Sequence, residues 1–197
     1  NIFDWVHLSP MPRTNRVAFV GIGNDYPDAN SAAVHGAIWD GDNDTWIQSS
    51  KAILSFPTGN TQNYHPTDAA DVKFTLGGQN HGEAVAVWGN KQYVYASVWN
   101  ETTGWSSNKT VANFGANKTV RWVRLEANPK SDDMIVAIAY QDGSNTNGIL
   151  ATVAYDGTAR TFAASPVQHT TDLYGDVTVN RPFDLSWDPI SCANCAM

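Results

Sequence analysis

The stretch from Asp133 to Gly157, DMIVAIAYQDGSNTNGILATVAYDG, recurs in altered form along the chain, and an internal repeat restricts the possible folds more than any other feature. Its two apolar runs, Met134 to Tyr140 and Ile149 to Tyr155, flank a linker rich in Gly, Asn and Ser, which reads as an antiparallel hairpin. Arg16 to Gly41 repeats the unit with a loop of similar kind, and Glu83 to Glu101 repeats it with a shorter one. Each copy closes on an aromatic followed by Asp or Asn: Trp39-Asp40-Gly41, Trp99-Asn100-Glu101 and Tyr155-Asp156-Gly157. Asp, Asn and Gly tolerate positive φ, so each of these points is expected to reverse the chain into another strand.

A further apolar segment precedes each hairpin: Ile2 to Leu8, Val72 to Leu76 and Val120 to Leu125, with Pro182 to Trp187 as a fourth of the same kind. Leu8 superposes on Leu125, and the match runs without a gap through Pro12 and Pro129, Phe19 and Val136, to Asp25 and Asp142. More polar strands follow the aromatic turns, at Thr45 to Leu54, Gly104 to Phe114 and Arg160 to Val167. The period is about fifty to sixty residues with roughly four strands in each. The expected fold is therefore all-β: a β-propeller-like series of four-stranded antiparallel blades at about 2–56, 70–114 and 118–168, with a partial fourth at 177–197. Leu8, Phe19, Val85, Val87, Val98, Leu125, Val136, Ile138 and Val153 are the expected core.

The pattern VRWVRL, a Pro-x-Ser-Asp turn, IVAIAYQD and ILATVAYDG resembles the degenerate propeller repeats of large secreted or surface-anchored proteins of bacteria and archaea. That resemblance implies an architecture and an extracellular or cell-surface setting rather than an activity. The WDG and YDG turns also resemble the Asp-box turns of sialidase-like propellers, but no Ser-x-Asp-x-Gly-x-Thr-Trp run is complete. The fourth segment stops where a second strand should begin, so the blades are not expected to close on themselves. A longer polypeptide, or an edge covered by another chain, is expected instead.

Composition sharpens the functional reading. With 8 Trp, 7 Tyr, 7 Phe and 15 Gly, the chain suits short strands and tight turns. A net charge of −7 leaves no basic stripe to displace counterions from phosphates, which argues against nucleic acid and against acidic membrane surfaces. No apolar run reaches the length of a membrane span, and the first residue, Asn1, points to a processed or cut N-terminus. Asn43, Asn100, Asn108 and Asn117 head Asn-x-Thr sequons in or beside expected turns and are the candidate glycosylation sites.

Candidate chemistry is sparse. Asp40-Gly41-Asp42-Asn43-Asp44 places carboxylates at alternate positions, as a Ca²⁺ loop does, yet Thr45 and Lys51 stand where the sharp-turn Gly and the bidentate Glu belong. An Asp-rich turn without metal is expected. Cys192 and Cys195 form a lone C-x-x-C, either a local disulfide or two free thiols, with no expected redox role. Glu83, Glu101 and Glu126 show no convergence, and Arg16, Arg121 and Arg124 make no evident carboxylate clamp. His7, His35, His65, His81 and His169 are scattered, and surface or half-buried positions are expected for them.

Three functions follow in order. The first is a non-enzymatic structural or adhesive repeat protein of a surface layer, stalk or filament, without cofactor, whose partners are copies of itself or neighbouring surface proteins. The second is a glycan-binding propeller using an exposed Trp such as Trp46 or Trp105. The third is a propeller-type glycosidase.

Overall fold

A computed structural model describes residues 2–24, 32–55, 69–143, 148–173, 177 and 181–187. Among them the fold is all-β, with three antiparallel sheets. Sheet A takes the order β1 (Ile2–Pro10), β2 (Arg16–Asn24), β3 (Ala32–Asp40), β4 (Thr45–Ser55). Sheet B runs β5 (Ala70–Phe74), β6 (Ala84–Asn90), β7 (Tyr93–Asn100), with β8 (Gly104–Trp105) and β9 (Lys109–Asn113) both pairing with β7. Sheet C runs β10 (Lys118–Ala127), β11 (Met134–Asp142), β12 (Gly148–Asp156), with β13 (Thr161–Phe162) and β14 (Val167–Leu173) both pairing with β12.

The repeat reappears in the register. Leu8 pairs with Phe19 and Leu125 with Val136, and a bulge interrupts each ladder at the matching place, between Phe3 and Trp5 and between Val120 and Trp122. The aromatic turns also share one construction. Asp40 accepts hydrogen bonds from Asp42 N and Asn43 Nδ2, Asn100 from Thr102 N and Thr103 N, and Asp156 from Ala159 N. Each turn then ends on a left-handed residue, Asp44 (φ 51), Gly104 (φ 71) or Arg160 (φ 55). The side-chain oxygen accepts from amides within the turn, and the positive φ turns the chain back into its sheet.

The polar last strand is broken in sheets B and C. In sheet B, Ser106 Oγ accepts from Val98 N, so a hydroxyl takes a ladder position and separates β8 from β9. In sheet C, Pro166 brings no N–H, and β14 resumes beyond it through Leu173, past Val167 where the polar strand was expected to end.

Packing explains why the middle strands are apolar throughout. Along β6, Ala84, Ala86 and Trp88 pack with Ala18, Val20, Ile22 and Ile38 of sheet A. The alternate residues Val85 and Val87 pack with Val123, Leu125, Val136 and Ile138 of sheet C. Side chains alternate across a strand, so a sheet buried on both faces has no polar face to show. Sheet B is that sheet. Gly89 lets β10 approach: a Cβ there would stand 2.4 Å from Val120 Cγ1, while Gly89 N donates to Ala69 O and Val120 N to Lys91 O.

Two expectations are corrected by the same packing. Leu8 is 64% exposed and Phe19 is only partly buried, although their repeat partners Leu125 and Val136 are 1% and 0% exposed. The side of sheet C that carries Leu125 and Val136 is covered by sheet B; among the described residues the corresponding side of sheet A has no such cover. Pro182 to Trp187 is likewise not a regular strand. Residues 181–186 carry no ladder and Trp187 makes an isolated bridge, held by Trp187 Nε1 donating to Glu126 O at 3.1 Å. Cys192 and Cys195 lie outside the described residues.

Equivalent positions in unequal surroundings should respond unequally. Leu125→Ala is expected to cost about 2–5 kcal/mol of unfolding free energy, and Leu8→Ala under about 1 kcal/mol. Urea unfolding of the two variants compares them directly, and equal losses would contradict the uncovered face.

Candidate functional site

Among the described residues, a row of ionisable side chains crosses the first strands of the sheets. His7 lies opposite Val20, Asp71 opposite Val87 and Arg124 opposite Ala137, which is one position of the repeat in three sheets. Asp184, one residue before the Leu of the fourth apolar segment, extends the row. Each member meets the next: His7 Nδ1 stands 3.6 Å from Asp71 Oδ1, Arg124 Nη1 3.5 Å from Asp71 Oδ2, and Arg124 Nε 3.8 Å from Asp184 Oδ1. Arg124 Nη1 also lies 3.2 Å from His7 Nδ1. Farther along the same strands, Lys73 Nζ meets Glu126 Oε2 at 3.0 Å.

Asp71 is the buried centre of this row. Its Oδ2 accepts the Leu125 amide at 3.0 Å, across the gap between sheets B and C, and its Oδ1 accepts Val72 N at 2.8 Å. Burial pushes the Asp71 carboxyl above its ordinary value, against the lowering pull of the Leu125 amide, His7, Arg124 and Lys73. Both oxygens are committed to groups of the fold, which suits a stitch between sheets.

A second polar tier lies where each sheet's second strand begins. Arg16, opening β2, makes a bidentate pair with Glu101 in the aromatic turn of sheet B, at 3.0 and 3.3 Å. Glu83, just before β6, pairs with Arg160 in the aromatic turn of sheet C through Arg160 Nη2 at 2.5 Å and Nε at 3.0 Å. The geometry repeats with the charges exchanged. Around the second pair, Asp132 accepts from Gly78 N at 2.8 Å and Asn80 N at 2.6 Å, and Asn80 Nδ2 donates to Gly157 O.

The remaining sequence candidates fall as follows. Arg16, Arg121 and Arg124 do not converge: Arg121 donates to Gln141 Oε1, and the other two join the tiers above. Glu83, Glu101 and Glu126 each meet a different cation. His35 is buried rather than half-buried, His81 and His169 are exposed, and His65 lies outside the described residues. The Asp40 carboxyl is held below its usual range by the Asn43 amide and spends its oxygens within the turn. Among the described residues no group of His, Cys, Asp and Glu is arranged to hold a metal. Burial pushes the Tyr155 hydroxyl up to about 12, with Glu83 adding to the shift, and this is the wrong direction for a nucleophile.

Trp105 is 8% exposed and cannot serve as a sugar platform, whereas Trp46 is 49% exposed and stands edge-on to Trp39 with ring centres 5.2 Å apart. Asn43, Asn108 and Asn117 are exposed and Asn100 is half-buried. The outer side of sheet C has a cleft of about 390 Å³ lined by Asp133, Met134, Ile135, Tyr155, Asp156 and Trp187, among others. No protein-family model matches the chain, and no curated protein is significantly similar to it.

The sign of the Asp71 effect is testable. Because its carboxyl is raised from 3.8, the folded protein holds that proton more tightly than the unfolded chain, so this group's contribution to stability falls as pH rises above 3.8. Asp71→Asn removes that loss. Its stability relative to the parent is expected to improve from acid to neutral pH in urea titrations; a flat or reversed difference would refute the assignment.

Proposed function

We propose that the chain is a non-enzymatic structural or adhesive repeat protein with β-propeller-type blades, working outside the cell or at its surface. The observation that carries this reading is the row His7, Asp71, Arg124 and Asp184: one repeat position, in three successive first strands and in the irregular segment that follows them, supplies charges that join each unit to the next. Residues that a catalytic site would turn toward a substrate are here turned toward neighbouring sheets. The sheets stack in chain order and use the same two polar tiers at each seam, which supports reading them as a series of blades. The exposed sequons support an exterior location.

A second reading is favoured by Trp46. Its half-exposed ring beside Asp42 and Asp44 could stack on a sugar, and would make the chain a glycan-binding module. Glycan-array binding that disappears in Trp46→Ala but persists in Leu8→Ala would establish it. Turnover of any member of a sialoside and arabinoside panel, lost in Asp71→Asn, would move the chain to the enzymes and refute the leading reading.

Location is tested by peptide mapping of material from the native source. Sugar is expected at Asn108 and Asn117 before Asn43 and Asn100, because the Asn43 amide nitrogen is donated to Asp40 and the Asn100 oxygen is bound by Thr102 N and Thr103 N. Unmodified asparagine at all four sequons would remove their support for an exterior location.

A further inference from the structure

Sheet A shows an apolar outer face bordered by acid. Val6 and Leu8 are 46% and 64% exposed, their neighbours Val17, Phe19 and Trp39 are partly buried, and Trp46 stands at the end where Asp42 and Asp44 form the turn. At the two seams within the chain, the same side of sheets B and C is covered by the preceding sheet. At each, the residue at the entry of the preceding sheet's second strand meets an opposite charge in the aromatic turn: Arg16 meets Glu101, and Glu83 meets Arg160. The corresponding turn of sheet A is Asp40 to Asp44.

We propose that this face receives a four-stranded antiparallel sheet of a partner protein that carries Arg or Lys at the entry of its second strand. The apolar residues supply the contact area, and the turn acids select the sign of the incoming charge. A second copy docking in the same order does not meet this requirement. Its sheet C would bring Asp133, the counterpart of Arg16 and Glu83, against Asp42 and Asp44. The place beside its β10 is also taken, because Trp187 Nε1 donates to Glu126 O, Arg124 Nε faces Asp184, and Phe183 packs against Trp122 and Val177. The inference rests on the blade-series reading proposed above and adds the chemistry of the sheet that this face accepts.

The test joins a probe sheet to the intact chain. An additional copy of residues 1–68, which carries sheet A with Arg16, is fused ahead of Asn1 so that docking is intramolecular. Docking is expected to raise the urea midpoint of the parent sheets and to slow amide exchange in the parent Ile2–Pro10 strand at least about tenfold. Arg16→Glu in the probe copy should abolish both effects, and adding Asp42→Lys with Asp44→Lys in the parent turn should restore them. Rescue by double reversal separates charge recognition from misfolding of a single variant. Equal docking by the Arg16→Glu probe overturns the charge rule, and absence of docking by every probe overturns the sheet as occupant. Concentration-dependent self-association of the unmodified protein, abolished by Leu8→Glu, would instead make a second copy the occupant. None of these readings involves sugar or cell location, so this inference and the function above fail separately.

Discussion

Burial of one sheet on both faces is the constraint from which the rest follows. Strand β6 gives small residues and Trp88 to sheet A, and Val85 and Val87 to sheet C, so sheet B has no face suited to water. Its stability is inseparable from its neighbours. That requirement sets the spacing between sheets, and the spacing in turn demands Gly89, where a side chain would collide with Val120. It also makes the buried carboxylates of the gap, Asp71 and Glu83, answerable to the next sheet, since little water reaches them.

Apolar contact alone would let similar sheets pack in any order. The two polar tiers remove that freedom, because Asp71 requires a cation and an amide opposite it, and Glu83 requires Arg160. The arginine accepts a left-handed backbone, φ 55, at the end of its turn, a conformation that costs a non-glycine residue about 1 kcal/mol. Its hydrogen bonds to Glu83 and Asn80 offset that strain. Neighbour order is thus written in charged positions that repeat in place while differing in sign.

Much of the fold was legible because strands and turns are local. The aromatic turns needed only Asp, Asn and Gly at the right offset, and the superposition of Leu8 on Leu125 survives as a shared ladder position. What stayed hidden depended on sheet-to-sheet packing. Leu8 and Leu125 carry the same pattern, yet one faces solvent and the other a sheet. The charge row was half visible, since the same superposition places His7 on Arg124. Asp71 and Asp184 completed it only when the first apolar segments of the other units were aligned residue by residue, and neither has a local feature that sets it apart from a turn acid. Trp105 looked available because exposure on a polar strand cannot be read from one sequence, and His35 because a polar side chain on a strand buried on both faces looks the same as one at a surface.

The bond from the Leu125 amide to Asp71 joins residues far apart in the chain. While the protein is being synthesised, sheet B emerges with its acid in place, but the amide and the arginine that satisfy it are still to be made. Water must serve that carboxylate in the interval, so the strand that holds it cannot settle into its final dry position. The apolar face around Asp71 therefore stays open for as long as the ribosome needs to add the following unit. A pause in translation before β10 and its ladder partner β11 are both complete would lengthen that exposure, because Leu125 takes its place in the seam as part of that pair.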